Sequence, residues 1–237
     1  IYKCNKCELK FSELAAALQK KEIENKYSNV VDNIYIDEIP QREKYFSNLY
    51  KKISYNFNKD KSVIEVGSYY GVFGNIIKPN VKNYSGLELS KHGTNYSKKN
   101  YNLEIFNETI EDHSKRQLKY DVIIMTDVIE HFSNPFKMLE TIEKILKPDG
   151  LLIFTTYNMD SFYAKITGEN YHWILPMHLF YFSNKTLKNI CLENNLKIIK
   201  IKNDSRVVSF YYLLNKLELI FPKLKFLFKY MNKIKFL

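Results

Sequence analysis

The sequence of 237 residues lacks several features that would assign it to whole classes of protein. No apolar run approaches the roughly 18 residues that a membrane-spanning helix needs, which excludes a transmembrane helix. No basic and then apolar leader opens the chain, so no secretory signal is expected, and Ile1 in place of methionine predicts that the protein continues upstream. The only three cysteines, Cys4, Cys7 and Cys191, are too few for a disulfide framework and indicate a reducing cytoplasm.

Glycine is also scarce, and negative charge is outweighed by positive charge. Only seven of the 237 residues are glycine, about 3%, where roughly 7% is usual. Three of the seven, Gly67, Gly71 and Gly74, nevertheless lie within eight residues. Such a cluster in a glycine-poor chain predicts a backbone turn with a local purpose. Lysine and arginine number 36 against 26 aspartates and glutamates, and the net charge is +10. This excess suits nucleic acid, an anionic membrane or an acidic substrate without choosing among them.

The apolar pattern predicts helices and strands in alternation. A helix-permissive stretch, 13–26, precedes an acidic loop at 37–40 and an amphipathic helix over 41–56. A further helix is expected over 134–146, before a turn at 147–150. Five runs are predicted as strands: 62–66, 84–89, 103–106, 121–125 and 151–156. This order predicts an α/β fold in which helices cover both faces of a parallel sheet.

The glycine cluster lies where the first predicted strand passes into a helix, which is the ligand-binding edge of an open α/β sheet. The dinucleotide fingerprint requires glycine at its first, third and sixth positions, but Gly67 is followed by Tyr69 and Val72 there. Glu65, at the mouth of the loop, would repel a pyrophosphate but suits a ligand carrying an ammonium or sulfonium group. Glu88, at the end of the next strand, is placed to accept hydrogen bonds from both hydroxyls of a ribose. An ordinary turn with glycines for packing is the alternative.

Four motifs in this order resemble those of class I S-adenosylmethionine-dependent methyltransferases, over roughly residues 40–200. The motifs are Glu65-x-Gly67-x-x-x-Gly71 for the acidic, glycine-rich loop, Glu88 for the ribose-binding acid, residues 120–132 for the "FDVI…VLEH" strand and residues 146–152 for the "LKPGG" turn. Tyr69 departs from the pattern, because the family usually has a middle glycine at this place.

The resemblance implies a Rossmann-like, doubly wound and mostly parallel sheet of the seven-stranded type, with S-adenosylmethionine as the cofactor. In such a site Glu88 holds the ribose, while Gly67, Gly71 and Glu65 shape the methionine end. Backbone groups near Ile110 read the adenine, while Thr126 and Asp127 line the floor beneath the sulfonium. The residues expected to bind the cofactor are Glu65, Gly67, Tyr69, Gly71, Glu88, Leu89, Ile110, Thr126 and Asp127.

The segment after the fifth predicted strand carries the candidate catalytic residues. Asn158, residues 171–173 and residues 176–183 resemble a cover segment from one branch of the family, which includes many enzymes acting on sugars, glycans and other small metabolites. Methyl transfer to a hydroxyl requires loss of the acceptor proton, and histidine has a suitable pKa to take it. His178 is the first candidate for this base and His172 the second. The alternative for His178 is a hydrogen bond that closes a loop over the cofactor.

The resemblance therefore implies a methyltransferase acting on a hydroxyl of a small-molecule, sugar, or glycan- or lipid-linked acceptor. Two other functions stay open at this stage, an inactive scaffold for partner or membrane binding and an RNA methyltransferase. Tyr69 gives the scaffold some support. Nucleic acid is disfavoured, because the basic residues are not concentrated around the predicted pocket.

Two groups of residues invite a metal interpretation. Glu130 and His131 offer two ligands, which are too few for a site, so no catalytic metal is expected. Cys4 and Cys7 resemble the second half of a zinc ribbon found ahead of such domains. A tetrahedral zinc needs four ligands, so a structural zinc is expected only if the missing half exists upstream of Ile1.

The last 25 residues, 213–237, alternate Leu, Phe and Ile with lysine and carry six lysines against one glutamate. They predict a basic amphipathic helix suited to an anionic membrane surface, or a helix packed on the domain with exposed lysines. The expected organisation is an N-terminal extension at 1–40, a methyltransferase domain at 41–210 and this helix at 211–237. A cytoplasmic protein is expected, with peripheral contact at the inner membrane face as an option.

Overall fold

Two β-sheets organise the part of the chain that the computed structural model describes, which comprises residues 1–17 and 20–204. The strands are β1 (Tyr2–Lys3), β2 (Lys10–Phe11), β3 (Ser62–Val66), β4 (Asn83–Leu87), β5 (Glu104–Phe106), β6 (Tyr120–Thr126), β7 (Leu146–Thr155) and β8 (Phe180–Tyr181). The predicted helix at 211–237 lies outside the described residues.

Helices follow each strand from β3 to β7, as the alternating pattern predicts. The helices are α1 (Glu13–Ala17), α2 (Lys20–Ser28), α3 (Asn33–Asp37), α4 (Ile39–Ile53), α5 (Val72–Ile77), α6 (Lys91–Tyr101), α7 (Ile110–Ser114), α8 (Pro135–Ile145), α9 (Phe162–Thr167) and α10 (Asn184–Glu193). Single 3-10 turns occur at Ser54–Asn56, Lys78–Asn80, Ile129–His131 and Gly168–Asn170. No helix in the described ranges is both long enough and apolar enough to cross a membrane.

The larger sheet has five parallel strands in the order β5-β4-β3-β6-β7. These strands coincide with the five predicted runs, with differences confined to their ends, so the parallel α/β prediction is confirmed. Within the described ranges, five strands of the expected seven-stranded type are present. Because chain order reverses between β3 and β6, the carboxyl ends of β3, β4 and β6 meet at the switch point where such folds bind ligands.

Alternate residues of the central strands enter two separate cores, one on each face of the sheet. Ile64 and Ile123 belong to a core that includes Met138, Leu139 and Ile142 of α8. The opposite core contains Val63, Val122 and Ile124 from the strands together with Phe46 and Leu49 of α4 and Phe73 and Ile77 of α5. The sheet is therefore covered by helices on both faces, as a doubly wound fold requires.

The acidic loop predicted at 37–40 is wrong, because helices occupy almost all of this segment. The helix α3 ends at Asp37, and α4 begins at Ile39 after a single intervening residue. Pro40 does not interrupt α4, since it lies in the first turn, where its missing N–H would have no partner within the helix. The amphipathic helix predicted over 41–56 is confirmed, with Phe46 and Leu49 buried.

The turn predicted at 147–150 is an excursion within the long strand β7. Leu146 pairs with Tyr120 of β6, but the next pair along the ladder is Leu151 with Val122. Asp149 adopts a left-handed backbone with φ of 60° inside this excursion. The extra residues of β7 are accommodated there, and the regular register resumes through to Thr155.

The N-terminal residues form a small antiparallel sheet with a distant part of the chain. Strand β1 pairs with β2, and β2 pairs with β8 near residue 180. Leu9, in the β1–β2 connection, is 5% exposed and packs in the same core as Ile64. The N-terminal hairpin is thus part of the packed body that the larger sheet supports.

Candidate active site

The loop after β3 turns sharply at two glycines and is anchored to the neighbouring strand. Gly67 and Gly71 have φ values of 72° and 77°, in the left-handed region that glycine adopts without strain. The amides of Gly67 and Ser68 donate to the carbonyl of Leu87 at 2.8 and 3.0 Å. A Cβ at Gly67 would lie 2.6 Å from Val128 Cγ2, so space requires glycine there as well.

Tyr69, which stands where the family usually has glycine, shares the left-handed backbone with φ of 47°. Its hydroxyl donates to Asp32 Oδ2 at 3.1 Å. Its ring contacts the edges of Tyr35 and Tyr70, with centroids 4.7 and 4.5 Å apart. The side chain therefore packs against the N-terminal extension, and its backbone amide donates to Glu88 Oε2 at 2.8 Å.

Glu88 lies just beyond the end of β4 and is almost fully buried. Its Oε1 accepts a hydrogen bond from the amide of Ser90 at 2.7 Å, while Oε2 accepts the Tyr69 amide. Burial raises the pKa of this carboxyl, and the backbone amides of Ser90, Tyr69 and Leu89 oppose that shift. Since a carboxylate oxygen has two lone pairs, an acceptor position is left on each oxygen for a ribose hydroxyl.

Glu65 is 2% exposed and its carboxylate lies beneath α5. Oε2 accepts the hydroxyl of Tyr84 at 2.6 Å, and a Cβ at Gly74 of α5 would lie only 2.2 Å from that hydroxyl oxygen. Burial and the nearby charge of Glu88 raise the pKa of Glu65 to about 8, against the effect of the Tyr84 hydrogen bond. Its predicted role at the methionine end stays a prediction.

Thr126 ends β6 at the switch point, and Asp127 follows it. Asp127 has a left-handed backbone with φ of 55°, and its amide donates to both the carbonyl and the hydroxyl oxygen of Thr155. The Thr155 hydroxyl donates in turn to Asp127 Oδ1 at 3.0 Å. This pairing with β7 holds the end of β6 beside the glycine loop, because β3 and β6 are neighbours.

The side chain of Asn107 holds in place the segments that are expected near the adenine, and the sequence analysis does not assign it a role. Asn107 donates from Nδ2 to the carbonyls of Glu88 and Leu89, both at 2.8 Å. Ile110 begins α7, and its side chain is buried in the core, so its backbone alone can face a ligand. Asn107 therefore fixes the connection after β4 against the segment after β5.

His178 is 2% exposed and has a defined hydrogen bond on one ring nitrogen. Its Nδ1 lies 2.7 Å from the carbonyl oxygen of Trp173. A carbonyl only accepts, so Nδ1 carries the proton, and in a neutral ring Nε2 is the nitrogen that can accept one. The ring stacks on Tyr157 and meets the His131 ring edge-on, with centroids 5.0 and 4.8 Å away.

His131 and Glu130 lie next to His178, in the 3-10 turn after β6. His131 Nδ1 is 2.8 Å from the hydroxyl of Tyr27 and 3.0 Å from the carbonyl of Met177. Burial and the neighbouring His178 lower the pKa of His131 to about 4, so its ring is neutral near pH 7. Glu130 is fully buried and accepts the Thr156 hydroxyl at 3.0 Å.

The fold brings a third potential metal ligand to the pair noted in the sequence. Glu130, His131 and His178 each offer a ligand atom, and these atoms lie within 4.8 Å of one another. Imidazole nitrogen and carboxylate oxygen together suit a divalent transition metal such as zinc. The folded chain therefore has three candidate ligands at this place, where the sequence alone marks two.

His172, the second candidate base, lies in an aromatic group beside the first. Its ring is 4.5 Å from Trp173 and 5.2 Å from Tyr163 between centroids. Trp173 stacks in turn on Tyr157 at 4.1 Å, and Tyr157 stacks on His178. The aromatic rings of the cover segment expected after the fifth strand thus contact one another, through Tyr157, as far as His178.

Cys4 and Cys7 lie in the β1–β2 hairpin and are both partly exposed. Backbone amides of Cys7 and Lys6 lower the pKa of the Cys4 thiol, while burial raises the pKa of Cys7. Amides directed at cysteine sulfur suit a metal knuckle, but two thiols are half of a tetrahedral zinc set. Within residues 1–17 and 20–204, these two cysteines form no group of three or more metal ligands. The ribbon remnant stays a prediction.

The sequence analysis did not predict the contacts that the N-terminal extension makes with the candidate site. Tyr27 reaches His131, and Asp32 reaches Tyr69 and the hydroxyl of Tyr70. These residues precede the glycine loop by about forty positions, and no periodicity or motif marks them. They can be found only from the fold, which lays the extension across the carboxyl edge of the sheet.

Comparison with known proteins identifies the family. A family model described as a methyltransferase domain matches residues 39–201. A ubiquinone biosynthesis O-methyltransferase of Actinobacillus pleuropneumoniae is 26% identical over 161 residues, which cover 60% of this chain and 68% of that protein. The protein of the same name from Erwinia tasmaniensis is 25% identical, over 47% of this chain and 49% of that protein. The chain thus spans 49% to 68% of the length of these relatives.

Solved structures share the fold at lower identity. A SAM-dependent methyltransferase from Archaeoglobus fulgidus superposes with a TM-score of 0.59 and 17% identity, covering 86% of this chain and 94% of that one. A second, from Thermotoga maritima, gives a TM-score of 0.55 and 18% identity, covering 74% and 80%. With the parallel sheet, the glycine loop and the family match over more than half of its length, the chain belongs to the class I S-adenosylmethionine-dependent methyltransferases.

Proposed function

We propose that this methyltransferase transfers its methyl group to a hydroxyl oxygen of a small-molecule acceptor, and that His178 is the general base. The two ubiquinone biosynthesis relatives named above are O-methyltransferases, which favours oxygen as the acceptor atom. The proposed acceptors include a sugar hydroxyl and a glycan- or lipid-linked hydroxyl, which are the classes that the family resemblance implies. The observation that carries the proposal is the hydrogen bond between His178 Nδ1 and the Trp173 carbonyl.

The chain offers a set of cofactor contacts around the carboxyl ends of β3, β4 and β6. Glu88 would accept the ribose hydroxyls, with Asn107 holding the backbone on either side of Leu89 in place. The glycine loop, from Gly67 to Gly71, would bound the methionine end, and Thr126 with Asp127 would form the floor. S-adenosylmethionine supplies an electrophilic methyl group on sulfur, so the protein's main task is to align the acceptor with it.

His178 is suited to remove the acceptor proton because its tautomer is fixed. With Nδ1 donating to the Trp173 carbonyl, Nε2 is the basic nitrogen of the neutral ring. Bound S-adenosylmethionine would supply the methyl group to the acceptor oxygen as its carbon–sulfur bond breaks, leaving S-adenosylhomocysteine and a methyl ether. His178 Nε2 would take the hydroxyl proton and afterwards return it to solvent.

Neighbouring groups support a neutral base at this place. His131 contacts the His178 ring and has a pKa lowered to about 4, so it adds no positive charge beside His178 near pH 7. The buried carboxyl of Glu130 would stabilise the imidazolium that forms during transfer. His172 is the matched comparison, since it belongs to the same aromatic group and its ring contacts Trp173.

The test is the pair of variants His178→Ala and His172→Ala, assayed with candidate hydroxyl acceptors. We expect His178→Ala to lower kcat by about 10²- to 10⁴-fold and to abolish the acidic limb of the pH–rate profile. Cofactor affinity, measured by calorimetry, should stay within about twofold of the parent chain. His172→Ala should keep the acidic limb. A His178→Ala variant with full turnover, or with cofactor affinity lost in parallel, would refute the base assignment.

Metal chelation distinguishes the base from a ligand role for the same histidine. If His178 takes the proton directly, dialysis against EDTA leaves kcat and the pH profile unchanged. If Glu130, His131 and His178 hold a catalytic ion, EDTA abolishes turnover and added zinc restores it. In that case Glu130→Gln also loses activity in proportion to bound metal, and the base assignment fails.

A further inference from the structure

The N-terminal extension lies over the carboxyl edge of the sheet along a segment that we call the covering segment, residues 27–35. It is attached at three points, one beside each of the strands β6, β4 and β3. The hydroxyl of Tyr27 lies 2.8 Å from Nδ1 of His131, which follows β6. Ser90, which follows β4, donates from its hydroxyl to the carbonyl of Val30 at 2.8 Å. The Asp32 amide donates to the hydroxyl of Tyr70, after β3, at 2.9 Å.

Asp32 is the residue where the covering segment and the glycine loop meet. Its Oδ2 accepts the hydroxyl of Tyr69 at 3.1 Å, while Oδ1 accepts the amide of Tyr35 and caps α3. The ring of Tyr35 then packs against both Tyr69 and Tyr70. Burial and the Asp32 carboxylate raise the pKa of Tyr69, so its hydroxyl stays protonated and is the donor. A single carboxylate thus fixes the shape of the segment and its contact with the loop.

Tyr69 also connects this contact to the cofactor carboxylate. Its backbone amide donates to Glu88 Oε2 at 2.8 Å, and its side chain donates to Asp32. A tyrosine at φ of 47° is strained relative to glycine, which adopts this backbone freely. The hydrogen bond to Asp32 and the ring contacts offset that strain. The departure from the family's glycine therefore has a physical role in this chain.

The covering segment spans the place where the cofactor would bind. Tyr27, at one end, lies against His131, which follows β6. Asp32, further along, lies on the glycine loop. A ligand held between Glu88 and the end of β6 would therefore lie beneath the segment. Its release would require the contacts of Asp32 to break.

We propose that Asp32 and Tyr69 are positioning residues, which hold the covering segment closed over bound S-adenosylmethionine and slow its release. This inference rests on the proposed cofactor site. Since Tyr69 contacts Glu88 and Asp32 at once, ribose binding at Glu88 and closure of the segment favour each other. The two residues act on cofactor retention and not on proton transfer from the acceptor.

The test compares Tyr69→Phe with the parent chain, because this change removes one hydroxyl and keeps the ring. We expect the dissociation rate of S-adenosylhomocysteine, and its Kd, to rise about tenfold, the effect of losing one hydrogen bond to a charged group. The acceptor KM and the pH–rate profile should not change. Hydrogen exchange at the amides of residues 30–35 should become faster, both with and without ligand.

Two further variants make the result specific. Asp32→Ala should raise the dissociation rate at least as much, and the double variant should be no worse than Asp32→Ala, because both changes remove the same hydrogen bond. Tyr55→Phe is the matched control, since Tyr55 is 71% exposed, and it should have no effect. A Tyr69→Phe variant with parental dissociation rate and parental exchange overturns the inference. Absence of cofactor binding by the parent chain would instead overturn the proposed cofactor site.

Discussion

Glu65 combines a motif position with an unusual environment. The carboxyl is buried beneath α5 on the hydroxyl of Tyr84, and its pKa is raised to about 8 from an ordinary value of 4.5. Between these two pH values the folded chain keeps a proton that the unfolded chain releases. The folded state therefore binds more protons than the unfolded state, and the free energy of unfolding decreases as the pH rises through this window.

We expect Glu65→Gln to remove this part of the pH dependence. Glutamine keeps an oxygen for Tyr84 and cannot ionise, so the variant should gain stability over the parent as the pH rises from 4.5 to 8. The measurement is urea unfolding at several pH values in that range. Equal slopes for the parent and the variant would show that the carboxyl ionises normally in the folded chain.

Glu88 should control cofactor affinity through its charge. Two backbone amides already point at the carboxylate, so Glu88→Gln places an NH2 group against a donor and weakens the acceptor for ribose. We expect the Kd for S-adenosylmethionine to rise by about 10- to 100-fold in calorimetry. Glu140→Gln, an exposed change on α8, is the control and should bind as the parent does.

The sequence predicts which residues stand at the strand ends but not where their side chains point. Gly67, Glu88 and Asp127 could be located because parallel strands end at one edge of the sheet, and motif spacing marks those ends. The side chain of Glu65 could not be located, since its direction depends on Tyr84, a residue on another strand. The tautomer of His178 could not be predicted either, because it depends on a hydrogen bond to the backbone carbonyl of Trp173.

At the scale of elements, the approach of α5 to β4 depends on one glycine. A Cβ at Gly74 would lie 2.2 Å from the hydroxyl oxygen and 2.4 Å from the ring carbon of Tyr84, which is itself buried. We expect Gly74→Ala to lower the free energy of unfolding by about 1–3 kcal/mol, although alanine favours helices. Asn75→Ala, at the exposed next position of the helix, should not destabilise the chain. Unfolding midpoints in urea provide the comparison.

Long or strongly apolar elements could be predicted from periodicity, and short ones could not. Strands β3 and β6 and helix α8 have enough buried residues for their patterns to be clear. Helix α3 has five residues and none of them is buried, so no apolar period marks it. Its stability depends on the Asp32 cap and on the packing of Tyr35 against the glycine loop.

At the scale of the whole molecule, the N-terminal hairpin shares the main core. Leu9 packs with residues of the larger sheet, and β2 pairs with β8. Leu9→Ala should therefore lower the free energy of unfolding of the entire chain by about 2–4 kcal/mol, through lost burial and a cavity. Leu192→Ala, at a 66% exposed leucine on α10, is the matched control. If the hairpin unfolds separately, Leu9→Ala will leave the main transition unchanged.

This long-range packing is what the sequence could least predict. The boundary expected at residue 40 follows the start of the family resemblance, but contacts from Leu9, Tyr27 and Asp32 cross it. Pairings between residues more than a hundred positions apart, such as β2 with β8, leave no trace in local periodicity. The parallel sheet itself was predictable, because its alternating strands and helices repeat a local pattern.

Trp173 gives the unlabelled protein an optical reporter beside the proposed base. It is the single tryptophan in a chain with 19 tyrosines, so tyrosine excitation passes to one indole. That indole stacks on Tyr157, whose ring stacks on His178. Emission from the whole chain therefore depends on the surroundings of this one ring. A library of candidate hydroxyl compounds could therefore be screened by fluorescence alone, with no methyl transfer required for the signal.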